Sequence, residues 1–297
     1  MSRIMAVLLL LVIPAAAALA DFTQTARDAD ALHDKGQYQQ AKDMLLNAAA
    51  SASGAQKAEL YWRAARENIE LGDQAEKDKM PKDALLKIFD EGEGFANKAI
   101  EADPNSYQAY YWKSANIGRG GQVRGILNSL GKAGPMKDLL TKAITINPAH
   151  SDSYFVLGQL YRELPGWPVS FGNIDFAVSL GRKAVDLRAE QYKSGAEKEG
   201  GYNFSVELGK TLWKRNWSAE KRLSEQKNQA ARFAAATTLL DKASNYDGTV
   251  TLKNVSDREE AKALVMWAIQ SMESLPARSA GQEKDLVDAR DVLKTMK

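Results

Sequence analysis

The chain has 297 residues, of which 44% are hydrophobic and 26% charged, a balance typical of folded proteins and too apolar for a disordered one. Lys and Arg number 40 against 38 Asp and Glu, and this near-neutral balance argues against a nucleic-acid binder, which gathers a basic excess on one face. There is no cysteine, which excludes disulfides and thiolate metal sites, and the two histidines, His33 and His150, are too far apart in sequence to indicate a histidine metal cluster.

The first twenty residues predict an export signal. Arg3 precedes an apolar run over residues 4–20, and the run ends in an Ala-x-Ala pattern. A short basic region, an apolar stretch and small residues before the cut are the features of a secretory signal peptide, here cleaved after Ala20. The alternative is an uncleaved membrane anchor, because the run approaches the roughly 20 apolar residues that a spanning helix needs. We therefore predict a periplasmic or secreted mature chain with no integral membrane segment once the signal is removed.

Helical periodicity dominates after Asp21. Strong helix formers fill amphipathic segments, and glycine or proline stands at the breaks between them. The one candidate strand, residues 249–252, is too short to build a sheet. The sequence therefore predicts an all-α fold with helices near residues 23–34, 38–51, 55–72, 82–102, 106–117, 135–146, 151–163, 173–190, 203–214, 218–243, 257–273 and 280–296.

A recurring order of residues indicates that the helices are paired. Asp103-Pro104 and Asn147-Pro148 end helices, because proline disfavours helix in the residue before it. Small residues such as Gly158 and Gly209 allow paired helices to approach closely. The clearest stretch has the order aromatic-x-x-Leu-Gly-x-x-Tyr and contains Tyr154, Leu157, Gly158 and Tyr161. These features resemble the tetratricopeptide repeat, a helix-turn-helix unit of about 34 residues. The resemblance covers most of residues 22–245 and implies a right-handed superhelical array of antiparallel helix pairs, an α-solenoid.

The repeats are irregular, because the second helix of a pair arrives about 7 to 15 residues late. The insertions between paired helices fall at residues 73–80, 119–134, 164–171 and 216–228. This irregular set resembles two divergent families, namely the T component of tripartite (TRAP-type) transporters and the regulator-of-microtubule-dynamics type. Both resemblances rest mainly on residues 110–187. We predict a signal peptide at residues 1–20, a repeat domain of about five helix pairs at 21–245, and C-terminal capping helices at 246–297.

The sequence lacks the motifs of several common catalytic sites. The chain contains no Gly-x-Ser-x-Gly elbow, no phosphate-binding Gly-x-x-x-x-Gly-Lys-Ser/Thr loop and no His-Glu-x-x-His. The glycine-rich segment 118–125 follows a helix and not a strand, which is the wrong context for a phosphate loop and favours a flexible turn. The sequence therefore predicts a protein that is not an enzyme, with no cofactor and no metal.

Aromatic residues are the most informative remaining feature. In a helical-repeat array, one face of each first helix lines the inner, concave surface, and Trp62, Tyr111 and Phe155 share one register on that face. An exposed aromatic row with scattered polar groups is typical of a binding surface. The alternative is that the rings are buried against insertions or a C-terminal helix. The predicted groove consists of Trp62, Arg66, Tyr111, Phe155, Gln159, Arg162, Lys210 and Trp213.

Two functions follow from these observations. The leading prediction is an exported, non-catalytic scaffold that binds another envelope protein or peptide. The T-component resemblance implies the alternative, an accessory subunit of a TRAP-type uptake transporter that binds an apolar organic acid. In that case Arg66, Arg162 or Lys210 would pair with the acid group of the ligand.

Overall fold

The computed structural model describes residues 15–248 and 254–297, and every regular element within these ranges is an α-helix. The predicted all-α class is confirmed. The helices are α1 (Ala15–Asp34), α2 (Tyr38–Ala49), α3 (Gly54–Lys77), α4 (Lys82–Ala102), α5 (Tyr107–Arg124), α6 (Ile126–Ile146), α7 (Ser151–Glu163), α8 (Ile174–Ser194), α9 (Tyr202–Arg215), α10 (Ala219–Ala235), α11 (Leu239–Ser244), α12 (Asp257–Glu273) and α13 (Ala280–Thr295).

The chain divides into two compact units, one that ends at Gly120 and one that spans Gly121–Lys297. In the first unit α2 packs on α1, α3 on α2 and α4 on α3. In the second unit α8 packs on α7, α9 on α8, α12 on α9 and α13 on α12. Such nearest-neighbour packing of helices is that of an α-solenoid. The predicted division into residues 21–245 and 246–297 stays a prediction.

The predicted insertions at residues 119–134 and 216–228 are largely helical in the structure. The glycine-rich segment 118–125, expected as a flexible turn, continues α5 as far as Arg124, and α6 begins at Ile126. Arg119 fixes this part of α5 to α3 by ion pairs with Asp73 and with Glu76, the latter at 2.7 Å. The helix expected over residues 218–243 is divided into α10 and α11.

The turns before α5 and α7 are built alike. The Tyr110 hydroxyl donates a hydrogen bond to the Pro104 carbonyl oxygen at 3.1 Å, and the Tyr154 hydroxyl donates to the Pro148 carbonyl oxygen at 3.0 Å. In both turns the side chain before the proline accepts a hydrogen bond from the amide two residues on. Burial raises the pKa of the Tyr154 hydroxyl to about 12. The structure thus repeats one helix-start device in successive pairs.

Glycines bring neighbouring helices of the second unit together. Gly158 on α7 faces the backbone of α8, and Gly181 on α8 faces Leu208 of α9. A methyl group added at Gly209 on α9 would lie 2.9 Å from a Val265 side-chain carbon and 3.1 Å from the Ala261 carbonyl oxygen on α12. These distances are tighter than ordinary packing, so the absence of a side chain sets how closely α9 and α12 approach.

The partner helix of α9 is α12, and α10 and α11 form an insertion between them. Leu208 and Leu212 of α9 lie in one core cluster with Val265 and Met272 of α12. No residue of α10 is buried, because its sequence is dominated by Lys, Arg, Glu and Gln. The hydrophobic contact that completes the last pair therefore comes from a helix about 40 residues further along the chain.

Ion pairs attach α10 to the rest of the second unit. Glu260 of α12 is fully buried, and its carboxylate accepts two hydrogen bonds from the guanidinium of Arg182, at 2.6 and 2.8 Å. The guanidinium of Arg222, on α10, donates a further hydrogen bond to Glu260 at 2.6 Å. Asp257, also fully buried, accepts two hydrogen bonds from Arg215 at 2.7 and 2.8 Å. Two carboxylates and three guanidinium groups thus tie α8, α9, α10 and α12 together.

No helix within the described ranges has both the length and the apolar character needed to cross a bilayer.

Replacing Gly209 by Ala tests the close approach of α9 and α12. We expect Gly209→Ala to lower the free energy of unfolding by about 1–3 kcal/mol, because a buried methyl must displace Val265 or the helix backbone. Gly131→Ala in α6 is the control, since an added methyl there meets nothing within 4 Å and should stabilise by about 0.5–1 kcal/mol. Urea titrations followed by circular dichroism measure both, and equal effects would contradict the packing argument.

Replacing Glu260 tests the buried ion pairs. Glu260→Gln leaves Arg182 and Arg222 buried without their carboxylate, and we expect a loss of about 3–5 kcal/mol in the free energy of unfolding. Glu273 lies on the same helix as Glu260 but is an exposed partner of Arg290, so Glu273→Gln should lower the free energy of unfolding by less than about 1 kcal/mol. Thermal and urea unfolding of the two variants would show comparable stabilities if the buried cluster were unimportant.

Candidate binding surface

In the first unit, Trp62 of the predicted groove is part of the core. Its side chain is only 8% exposed and packs with Ala99 of α4 and Ala109 of α5. The guanidinium of Arg63 lies over the ring, 4.1 Å from the ring centre. The indole is therefore covered by the next helix pair and by its own neighbour in sequence, and it presents no exposed aromatic face.

Arg66 and Tyr111 are also engaged within the first unit. Arg66 donates to Asp30 at 2.7 Å and to the fully buried Glu67 at 2.7 and 2.9 Å, so its charge is balanced. The ring of Tyr111 meets that of Trp112 edge to face, with ring centres 4.9 Å apart. The first unit thus holds three predicted groove residues in internal contacts.

In the second unit, Phe155 and Gln159 lie one turn apart on α7. The Phe155 ring stacks on the ring of Phe204 of α9, with ring centres 4.2 Å apart. The guanidinium of Arg188 lies over the Phe204 ring, 4.7 Å from the ring centre. Gln159 is partly exposed. The stacked rings join the first helices of successive pairs, whereas the alternative to ligand binding had placed such rings against insertions or a C-terminal helix.

Arg162, Lys210 and Glu207 form an ion cluster between α7 and α9. Arg162 is buried and lies 2.7 Å from one Glu207 carboxylate oxygen, and Lys210 lies 2.6 Å from the other. Burial favours the protonated form of Glu207, but Arg162 and Lys210 outweigh it and hold the pKa of that carboxyl below its usual range. The structure therefore brings together two of the predicted groove cations, with a carboxylate between them that the sequence analysis did not single out.

Trp213 is the predicted groove residue with the most unusual surroundings. Its ring is packed on one side against the core between α9 and α12. Arg258 lies over the ring at 4.5 Å from the ring centre and Lys262 at 5.6 Å, both supplied by α12. Neither cation was among the predicted groove residues, because α12 was predicted to be a capping helix. Their spacing of four residues, which places them on one helix face, was the available signal.

The eight predicted groove residues therefore fall into two groups, one in each unit. The binding role assigned to them stays a prediction, and the partly exposed members are Arg66, Tyr111, Phe155, Gln159, Lys210 and Trp213.

The chain is similar to proteins named for microtubule regulation. The family described as "Regulator of microtubule dynamics protein 1-3" matches residues 25–166. Regulator of microtubule dynamics protein 1 of Bos taurus is 24% identical over 248 residues, which cover 82% of this chain and 75% of the bovine protein. The protein of the same name from Mus musculus is 26% identical over 152 residues, which cover 50% of this chain and 48% of the mouse protein.

These matches confirm the predicted resemblance to the regulator-of-microtubule-dynamics type. They give no support to the resemblance to the T component of TRAP-type transporters, nor to the tetratricopeptide family beyond the helical-repeat architecture. Protein partners are the coarser expectation that the matches support, since the relatives are named as regulators.

The prediction of a periplasmic or secreted chain is wrong. The similar proteins come from cow and mouse, and their name connects them with microtubules, which are polymers of eukaryotic cells and not of a bacterial envelope. The location had been predicted only from the composition of the first twenty residues, in which one basic residue precedes an apolar run. The TRAP-type alternative needs a periplasmic location and is abandoned with it. Residues 1–14 of the predicted signal peptide lie outside the described residues, and the signal peptide itself stays a prediction.

Changing Glu207 tests the ion cluster between α7 and α9. Glu207→Gln leaves Arg162 buried without its main partner, and we expect a loss of about 1–3 kcal/mol in stability at pH 7. Because folding lowers the pKa of Glu207, its contribution is present above the usual carboxyl range and is lost as the pH falls through the lowered pKa. The variant should therefore lose less stability than wild type on acidification.

Glu163→Gln provides the matched control, because Glu163 is the exposed second partner of Arg162. We expect this change to cost less than about 1 kcal/mol. Urea unfolding at neutral and acidic pH compares the three proteins. Identical pH dependence of wild type and Glu207→Gln would show that this carboxylate is not ionised or not coupled to folding.

Proposed function

We propose that the chain is a non-catalytic helical-repeat protein that binds assembled microtubules. The observation that carries this proposal is the similarity to bovine regulator of microtubule dynamics protein 1, which extends over 82% of the chain. A match of that extent involves both helical units rather than a single shared motif. The bovine protein is named as a regulator of microtubule dynamics, and binding to the polymer is the simplest way in which a helical-repeat protein without catalytic motifs could act on microtubules.

The chemistry of the buried polar groups favours a binding role over catalysis. Asp257 and Glu260 are enclosed by arginines, and Glu67 is enclosed by Arg66 and His33, so these carboxylates serve to hold helices together. Within the described ranges, no group of three or more His, Asp or Glu side chains is placed to hold a metal ion. A structural use of these charges leaves the surface residues as the carriers of function.

We further propose that the partly exposed groove residues of the second unit contribute to the protein-binding surface. Gln159, Lys210 and Trp213 lie on α7 and α9, and the buried Arg162 supports them through Glu207. In the first unit, Trp62 and Arg66 support the packing of α3 and make no direct contact with the partner in this proposal.

Cosedimentation with preassembled, stabilised microtubules tests the proposed function. We expect the purified chain to pellet with the polymer in a saturable manner, with a Kd on the order of micromolar and weaker binding at high salt. The chain alone must remain in the supernatant under the same conditions, and bovine regulator of microtubule dynamics protein 1 serves as the reference. A chain that stays soluble at low salt, with microtubules in large excess, would remove microtubule binding from the account.

A further inference from the structure

The seam between α9 and α12 carries two cations that are held in place but not neutralised. We define this α9–α12 seam by Trp213, Arg258, Lys262 and Met266. Arg258 and Lys262 lie over the Trp213 ring at 4.5 and 5.6 Å, and both side chains are exposed on the other side. Met266 follows Lys262 by one turn on the same side of α12, and 46% of its surface is exposed.

Neither cation of the seam has a carboxylate partner within the described ranges, whereas other arginines of the second unit do. Glu259, which is adjacent in sequence to Arg258, is already engaged. Its carboxylate accepts hydrogen bonds from the Ser256 amide at 2.6 Å and from the Ser256 hydroxyl at 2.7 Å, and so closes the N-terminal cap of α12. On α9, the carboxylate of Glu207 is shared by Arg162 and Lys210. The two cations over Trp213 therefore carry positive charge that no ion pair within the described ranges balances.

Stacking on an indole prepares an arginine to bind an anion. A guanidinium that lies over an indole is attracted to the ring face and keeps N–H donors that can bind a carboxylate as a fork. Charge-assisted hydrogen bonds of this kind are roughly twice as strong as neutral ones. Because the Trp213 ring is itself fixed against the core, little side-chain freedom is lost when an anion binds.

We propose that the α9–α12 seam binds an acidic segment of a partner protein, one that carries an apolar residue next to its carboxylates. The carboxylates contact Arg258 and Lys262, and the apolar residue contacts Met266, about 12 Å from Arg258 along α12. This inference rests on the proposed protein-binding role, and it specifies the chemistry of the partner and the place where it binds.

The charge distribution favours a protein segment over an anionic membrane or a nucleic acid. The chain as a whole has a net charge of only +2. Membrane-surface and nucleic-acid recognition rely on extended basic patches, commonly four to eight clustered cations for anionic lipid. Two unpaired cations in line with one methionine form a narrow track along a single helix, which matches the width of one polypeptide segment.

Fluorescence anisotropy with a synthetic probe tests the proposal. The probe is a short fluorescein-labelled peptide of paired Glu residues separated by Leu, and the comparison peptide has Gln in place of every Glu. We expect the full chain to bind the acidic peptide, and the Gln peptide to bind at least about tenfold more weakly. The double variant Arg258→Gln, Lys262→Gln should likewise weaken binding of the acidic peptide by about tenfold or more.

Matched variants separate this seam from charge in general. Lys227→Gln with Lys242→Gln removes the same two charges from exposed positions on α10 and α11 and should leave the affinity unchanged within about twofold. Met266→Ser should weaken binding of the acidic peptide severalfold and should leave unchanged the binding of a peptide that contains Glu but no Leu. Circular dichroism must show wild-type helicity for each variant, which is expected because all these side chains are exposed.

Four results would overturn the proposal. They are no binding of the acidic peptide, equal binding of the Gln peptide, unchanged affinity in the Arg258 and Lys262 variant, and tighter binding to phosphatidylserine vesicles than to the peptide. The microtubule assay distinguishes this failure from failure of the proposed function. Peptide binding without cosedimentation contradicts the microtubule assignment alone, and cosedimentation that survives in the double variant contradicts this seam alone.

Discussion

The close approach of helix backbones at glycine is the constraint on which the second unit depends. Gly158, Gly181 and Gly209 stand one after another on α7, α8 and α9, and each removes the side chain that would separate its helix from the next. Backbones that approach so closely leave room only for the residues that face them, here Ala261 and Val265 of α12. This explains why α9 pairs with α12 and not with α10, which follows it directly in sequence. The α10 helix offers long polar side chains that cannot enter the space above a glycine.

Because α9 pairs with α12, α10 and α11 form an insertion, and polar contacts hold this insertion in place. A helix without buried residues gains little from the hydrophobic effect, so its position must be set by other contacts. Arg222 supplies one by reaching Glu260 and the Val255 carbonyl oxygen, and Gln229 supplies another through Ser179 and the Tyr246 carbonyl oxygen. Such polar attachments add modest net stability, but they require a defined geometry. They therefore specify one orientation of the insertion against α8 and α12.

Local signals in the sequence were sufficient for the helices and insufficient for their long-range partners. The bounds of α2, α4, α7 and α12 follow from periodicity and from proline or glycine at the breaks, and the small residues Gly158 and Gly209 were recognised as close contacts. The pairing of α9 with α12 depends on residues about 50 positions apart, and no local pattern contains that information. The register that grouped Trp62 with Phe155 was helical spacing alone, which does not distinguish a ring covered by the next helix pair from one open to solvent.

Trp62 and Trp213 show why exposure of an aromatic ring is the wrong criterion for a binding surface in this protein. Both rings lie beneath cations, Arg63 over Trp62 and Arg258 over Trp213. Arg63 is neutralised by Asp30 at 3.2 Å and by Glu59, so the first stack is closed electrostatically as well as sterically. Arg258 has the same support from its ring and no such partner in the described ranges. The difference between a structural stack and a recognition site therefore lies in the carboxylates around the cation, because only an unbalanced charge gains from the arrival of an anion.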